Sequence, residues 1–203
     1  MKKIKRKIFL VVFIILIPIL LFIANGLLVF NLGLKEDTEM YNFFKLNENL
    51  PAEYSEREVM HLQEVNDLVK SLNSTLTLGL LLFVLMGLSL YIKNKKDFAK
   101  GLFYGGNLTV FIWIVFGLIF LINFQFFFTI FHKLLFKTDY WLLNSGSILL
   151  QKFPTKFWTD GFVKLFMFIA IESVIITTIG YLLKRKSSSS TWSGRSNSAS
   201  SPK

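Results

Sequence analysis

IFLVVFIILIPILLFIANGLLVFNLGL, residues 8–34, is an apolar run interrupted only by Asn25 and Asn31 among its polar side chains. A bilayer hydrocarbon core is about 30 Å thick and needs about 20 residues of helix to cross it. This run is therefore long enough to span. Three further stretches, 76–92, 102–130 and 162–183, have the same character. Backbone amides in hydrocarbon must be satisfied within the chain, so each stretch is expected to be helical. The predicted fold class is an all-α polytopic membrane protein with four transmembrane helices. A composition of 53% hydrophobic and 18% charged residues argues against a soluble domain.

Charge distribution sets the expected orientation. The net charge of +10 is compatible with nucleic-acid binding, but the basic residues gather at helix ends instead. Lys2, Lys3, Lys5, Arg6 and Lys7 precede the first helix; Lys93, Lys95, Lys96 and Lys100 separate the second and third; Lys184, Arg185 and Lys186 follow the fourth. Four alternating helices bring these clusters to one side, which the positive-inside rule makes cytoplasmic. The loop after the first helix carries Glu36, Asp37, Glu39, Glu48, Glu53, Glu56, Glu58, Glu64 and Asp67, and so belongs outside. The expectation is N-in/C-in, with a small extracytoplasmic cap formed by outer loops 35–75 and 131–161. No nucleic-acid partner is expected. The basic N-terminus followed by an apolar core imitates a signal peptide, but the run is too long and lacks a small-residue cleavage pattern. It reads as a retained helix. The membrane domain is assigned to 1–186, and the serine-rich tail 187–203 is expected to be disordered.

The only histidines, His61 and His132, fall one in each outer loop. Imidazole has an ordinary pKa near neutrality, which makes it the usual mover of protons. In the first loop, residues around Tyr41, Phe43 and Phe44 are read as extended. Ser55 and Glu58 then form a capping box, and Val59, Leu62, Val65, Leu68 and Leu72 recur at helical spacing. His61 lies at the edge of that stripe with Glu58 and Glu64 one turn away on either side, where an acid can orient the ring. An exposed helical charge cluster is the alternative reading. In the second loop, Tyr140, Trp141, Phe153, Phe157 and Trp158 suggest an interfacial aromatic belt. Lys133, Lys137, Lys152 and Lys156 are read as contacting lipid phosphates or snorkelling to water. Asn123 and Gln125, just before His132, are read as polar groups facing a neighbouring helix or a cavity. Glu172, within the fourth helix, is an intramembrane carboxylate to which no role is assigned. With no cysteine in the chain, disulfides and thiol chemistry are excluded.

The segments Glu58-Val59-Met60-His61 and Phe131-His132, with Trp141 beyond and Phe153-Pro154 leading to Phe157-Trp158, resemble the lipoprotein intramolecular transacylases. The resemblance runs over nearly the whole chain and is most specific between residues 131 and 158. It departs from the expected pattern after His61, where Glu64 and Asp67 occupy the place of an aspartate, and at Asn144, where an acid often follows the tryptophan. The resemblance implies an acyltransferase of the bacterial plasma membrane, acting at its extracytoplasmic face on diacylated lipoproteins. An acyl chain would move from the sn-2 oxygen of the S-diacylglyceryl group to the α-amino group of the N-terminal cysteine, giving the lyso form. His61 and His132 would be catalytic, one as general base and one serving the leaving oxygen. Glu58, Glu64, Asp139 and Trp141 would bind substrate or support the histidines. No cofactor and no metal would be required; the partners are the lipoprotein and membrane lipid, with the enzyme a monomer.

Two other classes compete. His61, His132 and Glu58 or Glu64 make a legitimate zinc set, hence a metal-dependent membrane hydrolase. A non-catalytic membrane binding or sensor protein is the other.

Overall fold

The computed structural model describes residues 2–196, with side chains over 4–186. Every regular element among them is helical. Helix α1 (Lys2–Leu34) is followed by the single turn α2 (Thr38–Tyr41), which runs into a π-helical turn (Asn42–Leu46). Then come α3 (Glu56–Lys93), α4 (Lys95–Ile122), α5 (Phe124–Leu135), α6 (Ile148–Lys152) and α7 (Thr155–Ser196). Four helices are long and apolar enough to cross a membrane, namely α1, α3, α4 and α7. Their exposed faces fit that reading: Leu81, Leu85 and Ile114 are each more than half exposed, and Leu121 is 77% exposed. Such apolar surface is stable against lipid, not water.

Several expectations are corrected here. The extended segment around Tyr41–Phe44 is instead helical, ending at Asn47, whose φ of 57° lies in the left-handed region that asparagine tolerates. The amphipathic helix of the first loop and the second span are one helix of 38 residues, α3, because no glycine or proline intervenes until Gly79. At 1.5 Å per residue it is about 57 Å long, so only part of it can lie in hydrocarbon; the apolar stretch 76–92 is that part. The third span does not continue to residue 130. It stops at Ile122, and Asn123 starts a new helix. α7 runs on past its basic cluster to Ser196, and residues 197–203 of the expected disordered tail lie outside the described residues.

The chain divides into two compact units, and each long helix contributes residues to both. The first comprises residues up to 21, 78–113 and from 169 onward. Its core is built on Phe13, fully buried, stacked 4.8 Å from Phe83 and 6.0 Å from Phe98. Asn94 caps the start of α4 by accepting from the Lys96 and Asp97 amides. Asp97, only 3% exposed, is held by Arg6 at 2.6 Å. Two glycines let helices of this unit approach closely. A Cβ on Gly106 would strike Thr177, and one on Gly180 would strike the backbone of Phe103. Close approach through small residues is a main source of helix association in lipid, where no hydrophobic drive separates helix from solvent. All the basic clusters at helix ends fall within this unit.

The second unit comprises residues 22–77 and 114–168, and so contains both loops read as outer. One of its cores joins Leu34, Met40, Tyr54, Leu62 and Leu149. Another is aromatic: the Phe127 ring meets Phe162 edge-on at 4.9 Å, and Phe120 lies 5.4 Å from Phe166. Gly33 leaves room for the Phe157 ring, which a Cβ there would meet at 3.0 Å.

Substituting Gly180→Ala should destabilise the purified protein by about 1–3 kcal/mol through overpacking. Gly117, where a Cβ would meet open space, provides the control. Equal thermal midpoints for Gly180→Ala and Gly117→Ala in detergent would contradict this account of the helix contact.

Candidate active site

Within the second unit, α5 owes its register to Asn123. The side chain accepts a hydrogen bond from the Phe126 amide at 2.9 Å, satisfying a free donor of the first turn. Asn123 is thus a helix cap, where a contact to another helix or cavity was expected. From that start α5 carries Phe128 and His132 one turn apart. The His132 Nδ1 lies 2.9 Å from the Phe128 carbonyl oxygen. A carbonyl can only accept, so Nδ1 carries the proton and Nε2 keeps its lone pair in the neutral ring. The imidazole is 5% exposed, with Phe128 at 4.0 Å, Phe131 at 5.7 Å and Phe136 at 5.6 Å from its centroid.

His61 approaches from α3. Its ring centroid is 6.1 Å from that of His132 and 5.2 Å from Phe136. The Trp141 ring lies 5.0 Å from His132 on another side. Two histidines separated by 71 positions in the chain therefore share one aromatic-walled pocket with Trp141. Both groups lie outside the apolar stretch 76–92 and the other spans. Burial, reinforced by the neighbouring His132, pushes His61 down to about 4. Burial also lowers His132, against the opposing effect of its bond to Phe128. Both rings are neutral at physiological pH. Two polar atoms here are buried without a partner: His61 Nδ1 and Trp141 Nε1.

The four supporting residues separate into different roles. Glu58 completes the expected capping box with Ser55, whose amide and hydroxyl both donate to Oε2, at 2.8 and 2.7 Å. It also does what sequence spacing did not indicate. Oε1 accepts from the Ser147 hydroxyl at 2.5 Å and the Leu149 amide at 3.1 Å. Ser147 is itself the N-cap of α6. Burial alone would raise the Glu58 pKa, but these bonds from Ser147, Ser55 and Leu149 outweigh it and hold the carboxyl at about 2. With both oxygens occupied, Glu58 braces the second loop against α3 instead of orienting His61. Glu64 is different: Oε1 accepts from the Thr138 hydroxyl at 2.7 Å, while Oε2 is buried with no hydrogen-bond partner. The side chain of Asp139 is on an exposed residue, and it is its backbone carbonyl that is used, accepting from Arg57. Arg57 also lies over the Tyr140 ring, 6.0 Å from the centroid. The Trp141 ring packs beside His132.

Lys152 is corrected. It pairs with Glu39 at 2.7 Å and Asp37 at 3.3 Å, and sits 5.8 Å from the Tyr54 centroid. It is a strut inside the unit, not a surface lysine for lipid phosphate. Lys156 pairs with Asp160 one turn on. The residues missed in the sequence, Arg57, Thr138, Ser147 and Phe136, left no local signal beyond Ser147 preceding a short apolar turn. Among the described residues, no group of three or more His, Cys, Asp or Glu side chains is placed to hold a metal. The Glu58 carboxylate, one candidate zinc ligand, is taken up by Ser55, Ser147 and Leu149.

Comparison with known proteins follows from this geometry. A family model described as lipoprotein intramolecular transacylase Lit matches residues 34–158. The fold is similar to the in meso structure of the membrane integral lipoprotein intramolecular transacylase Lit from Bacillus cereus, at TM-score 0.74 and 20% identity over 89% of this chain and 96% of that one. A structure of the same Bacillus cereus protein carrying a histidine substitution is similar at TM-score 0.68 and 19% identity, covering 93% of this chain and 96% of that one. Curated proteins give no sequence match.

Removing the Glu58 brace should be costly for stability. Glu58→Ala leaves the Ser147 hydroxyl and Leu149 amide without their buried acceptor, a loss of about 2–3 kcal/mol, and Ser147→Ala should cost less. Because the folded pKa is depressed, the contribution of Glu58 is complete above the ordinary glutamate value and fades as pH falls toward 2. Thermal melts of both variants check this; an unchanged midpoint in Glu58→Ala would remove the brace.

Proposed function

The chain belongs to the lipoprotein intramolecular transacylase family, and from that premise we propose that it transfers an acyl chain within a single diacylated lipoprotein, from the sn-2 glyceryl oxygen to the α-amino group of the N-terminal cysteine. As a member it is an integral, multi-pass membrane acyltransferase. The observation that carries the finer reading is the His61–His132 pair, 6.1 Å apart ring to ring among Phe136 and Trp141.

The chemistry suits two neutral imidazoles and no nucleophilic side chain. The cysteine amine attacks the ester carbonyl carbon, forming the C–N bond and a tetrahedral oxyanion. An amine that has attacked holds its extra proton far less tightly than free ammonium. A neutral imidazole therefore suffices to remove it. His132 takes that proton on Nε2, the nitrogen left basic by the Phe128 bond. The C–O bond to the glyceryl sn-2 oxygen then breaks, and the His132 imidazolium returns the proton to the departing oxygen. His61 contributes an N–H to the developing negative charge. Counted from the neutral amine no proton is gained or lost; a substrate that arrives as ammonium first releases one proton to water. Since amine and ester belong to one molecule, proximity supplies much of the acceleration.

The proposed setting is the outer face of a bacterial plasma membrane, with N-in/C-in topology. Support comes from the basic helix ends, all in one compact unit, and the acidic loop and histidine pocket, both in the other. We propose residues 1–186 as the membrane domain and Asp139 as a support for the 138–141 loop through its backbone alone.

In cells producing His61→Ala or His132→Ala, mass spectrometry of lipoprotein N-terminal peptides should find no N-acyl, S-monoacylglyceryl product, although the variants reach the membrane at normal levels. Wild-type product yield from either variant removes that histidine from the reaction. A second outcome follows from burial. Near neutrality, above both lowered imidazole values, only the substrate amine, with an ordinary value near 8, should titrate, so log rate should rise with a slope of one between about pH 6.5 and 7.5. A slope of two below pH 6 would mean that an imidazole titrates near its ordinary 6.5.

A further inference from the structure

Glu64 stands one turn beyond His61 on α3, so the two side chains share a helix face. One of its oxygens is fixed: Oε1 accepts the Thr138 hydroxyl at 2.7 Å. Thr138 lies two residues after Phe136, whose ring touches both imidazoles, and three before Trp141. The loop that walls the histidine pocket thus also aims the Glu64 carboxylate. Its other oxygen, Oε2, is buried and has no hydrogen-bond partner. Among the described residues no ion pair reaches Glu64, and the nearby cation Arg57 is engaged by the Asp139 carbonyl and the Tyr140 ring. Buried carboxylate oxygens without a donor are costly, and a substrate cation is one group able to supply the missing donor.

We propose that Glu64 Oε2 receives the α-ammonium group of the substrate's N-terminal cysteine and holds it beside the histidine pair. This rests on the transacylase reading and gives Glu64 a defined task within it. The match is chemical. An α-amine with a pKa near 8 arrives mostly as a cation at neutral pH, and both imidazoles are uncharged, so the carboxylate is the group in the pocket that distinguishes an ammonium from a neutral or already acylated nitrogen. The acylated product carries no charge on that nitrogen and loses this contact. Glu64 therefore favours substrate over product as well as placing the nucleophile. Its pairing with Thr138 ties the carboxylate to the loop that carries Phe136 and Trp141.

The test uses the purified full-length chain in lipid nanodiscs. Two non-reacting probes are S-glyceryl cysteinyl peptides with ether-linked chains, one with a free α-amine and one with that amine replaced by hydrogen. Wild type should bind the amine probe about tenfold or more tightly than the des-amino probe, as expected for one charge-assisted hydrogen bond. Glu64→Gln keeps an acceptor for Thr138 but loses the charge; it should bind the two probes within about twofold of each other. With an ester substrate it should raise KM about tenfold and leave kcat within about threefold. Glu64→Asp, which restores the charge, should recover most of the preference. The comparison of two probes on one variant is unaffected by a partial loss of folded protein. If Glu64→Gln keeps the full wild-type preference, or if wild type has none while turning over the ester substrate, the assignment of Glu64 is overturned and the transacylase reading stands. If wild type prefers the amine probe but makes no N-acyl product from the ester, the transacylase reading falls and the ammonium site remains.

Discussion

A buried carboxylate with every lone pair engaged is the contact on which the second unit depends. Glu58 closes the first turn of α3 through Ser55 and the first turn of α6 through Ser147 and Leu149. Neither helix end could be buried here with its amides unsatisfied. Because His61 is one turn further along α3, fixing the helix start also fixes the imidazole. Because α6 follows directly on the loop that bears Thr138 and Trp141, the same carboxylate fixes the pocket wall. The bonds hold Glu58 ionised well below the usual glutamate range, so the joint is insensitive to ordinary changes of acidity.

Around that joint, charge is arranged sparingly. Lys152 neutralises Asp37 and Glu39, Arg57 is tied to a carbonyl and an aromatic face, and Arg6 matches Asp97 in the other unit. The histidine pocket is lined by Phe128, Phe131, Phe136 and Trp141, which keep both rings uncharged by excluding water. The aminolysis proposed above asks for little more than this: a base without charge, a donor for the oxyanion, and a nucleophile held in place.

Much of this was legible in the chain itself. The four spans followed from apolar run length, and the start of α3 from the Ser55–Glu58 spacing, because both are local properties. His61 and His132 were legible as a pair through topology, which set both on outer loops, and then family resemblance; spacing alone cannot bring two loops together. What could not be read were contacts between distant segments: Glu58 with Ser147, Glu64 with Thr138, Lys152 with Asp37 and Glu39. Nothing in a capping box announces a second partner some ninety residues away. Asn123 is a different case. Its cap-forming side chain, set in a phenylalanine run, was a stop-and-restart signal that the hydrophobicity of its surroundings concealed. Asp139 was expected for its carboxylate; within the protein it is the backbone oxygen that accepts, from Arg57.

The bond from His132 to the Phe128 carbonyl spans a single helical turn. The choice of protonated nitrogen is therefore written into twelve consecutive residues of α5 and owes nothing to the loop that follows. Sequence change in the loop between α5 and α6 leaves that choice of nitrogen in place. The polarity of the ring is set locally by α5, apart from the loop contacts that wall it.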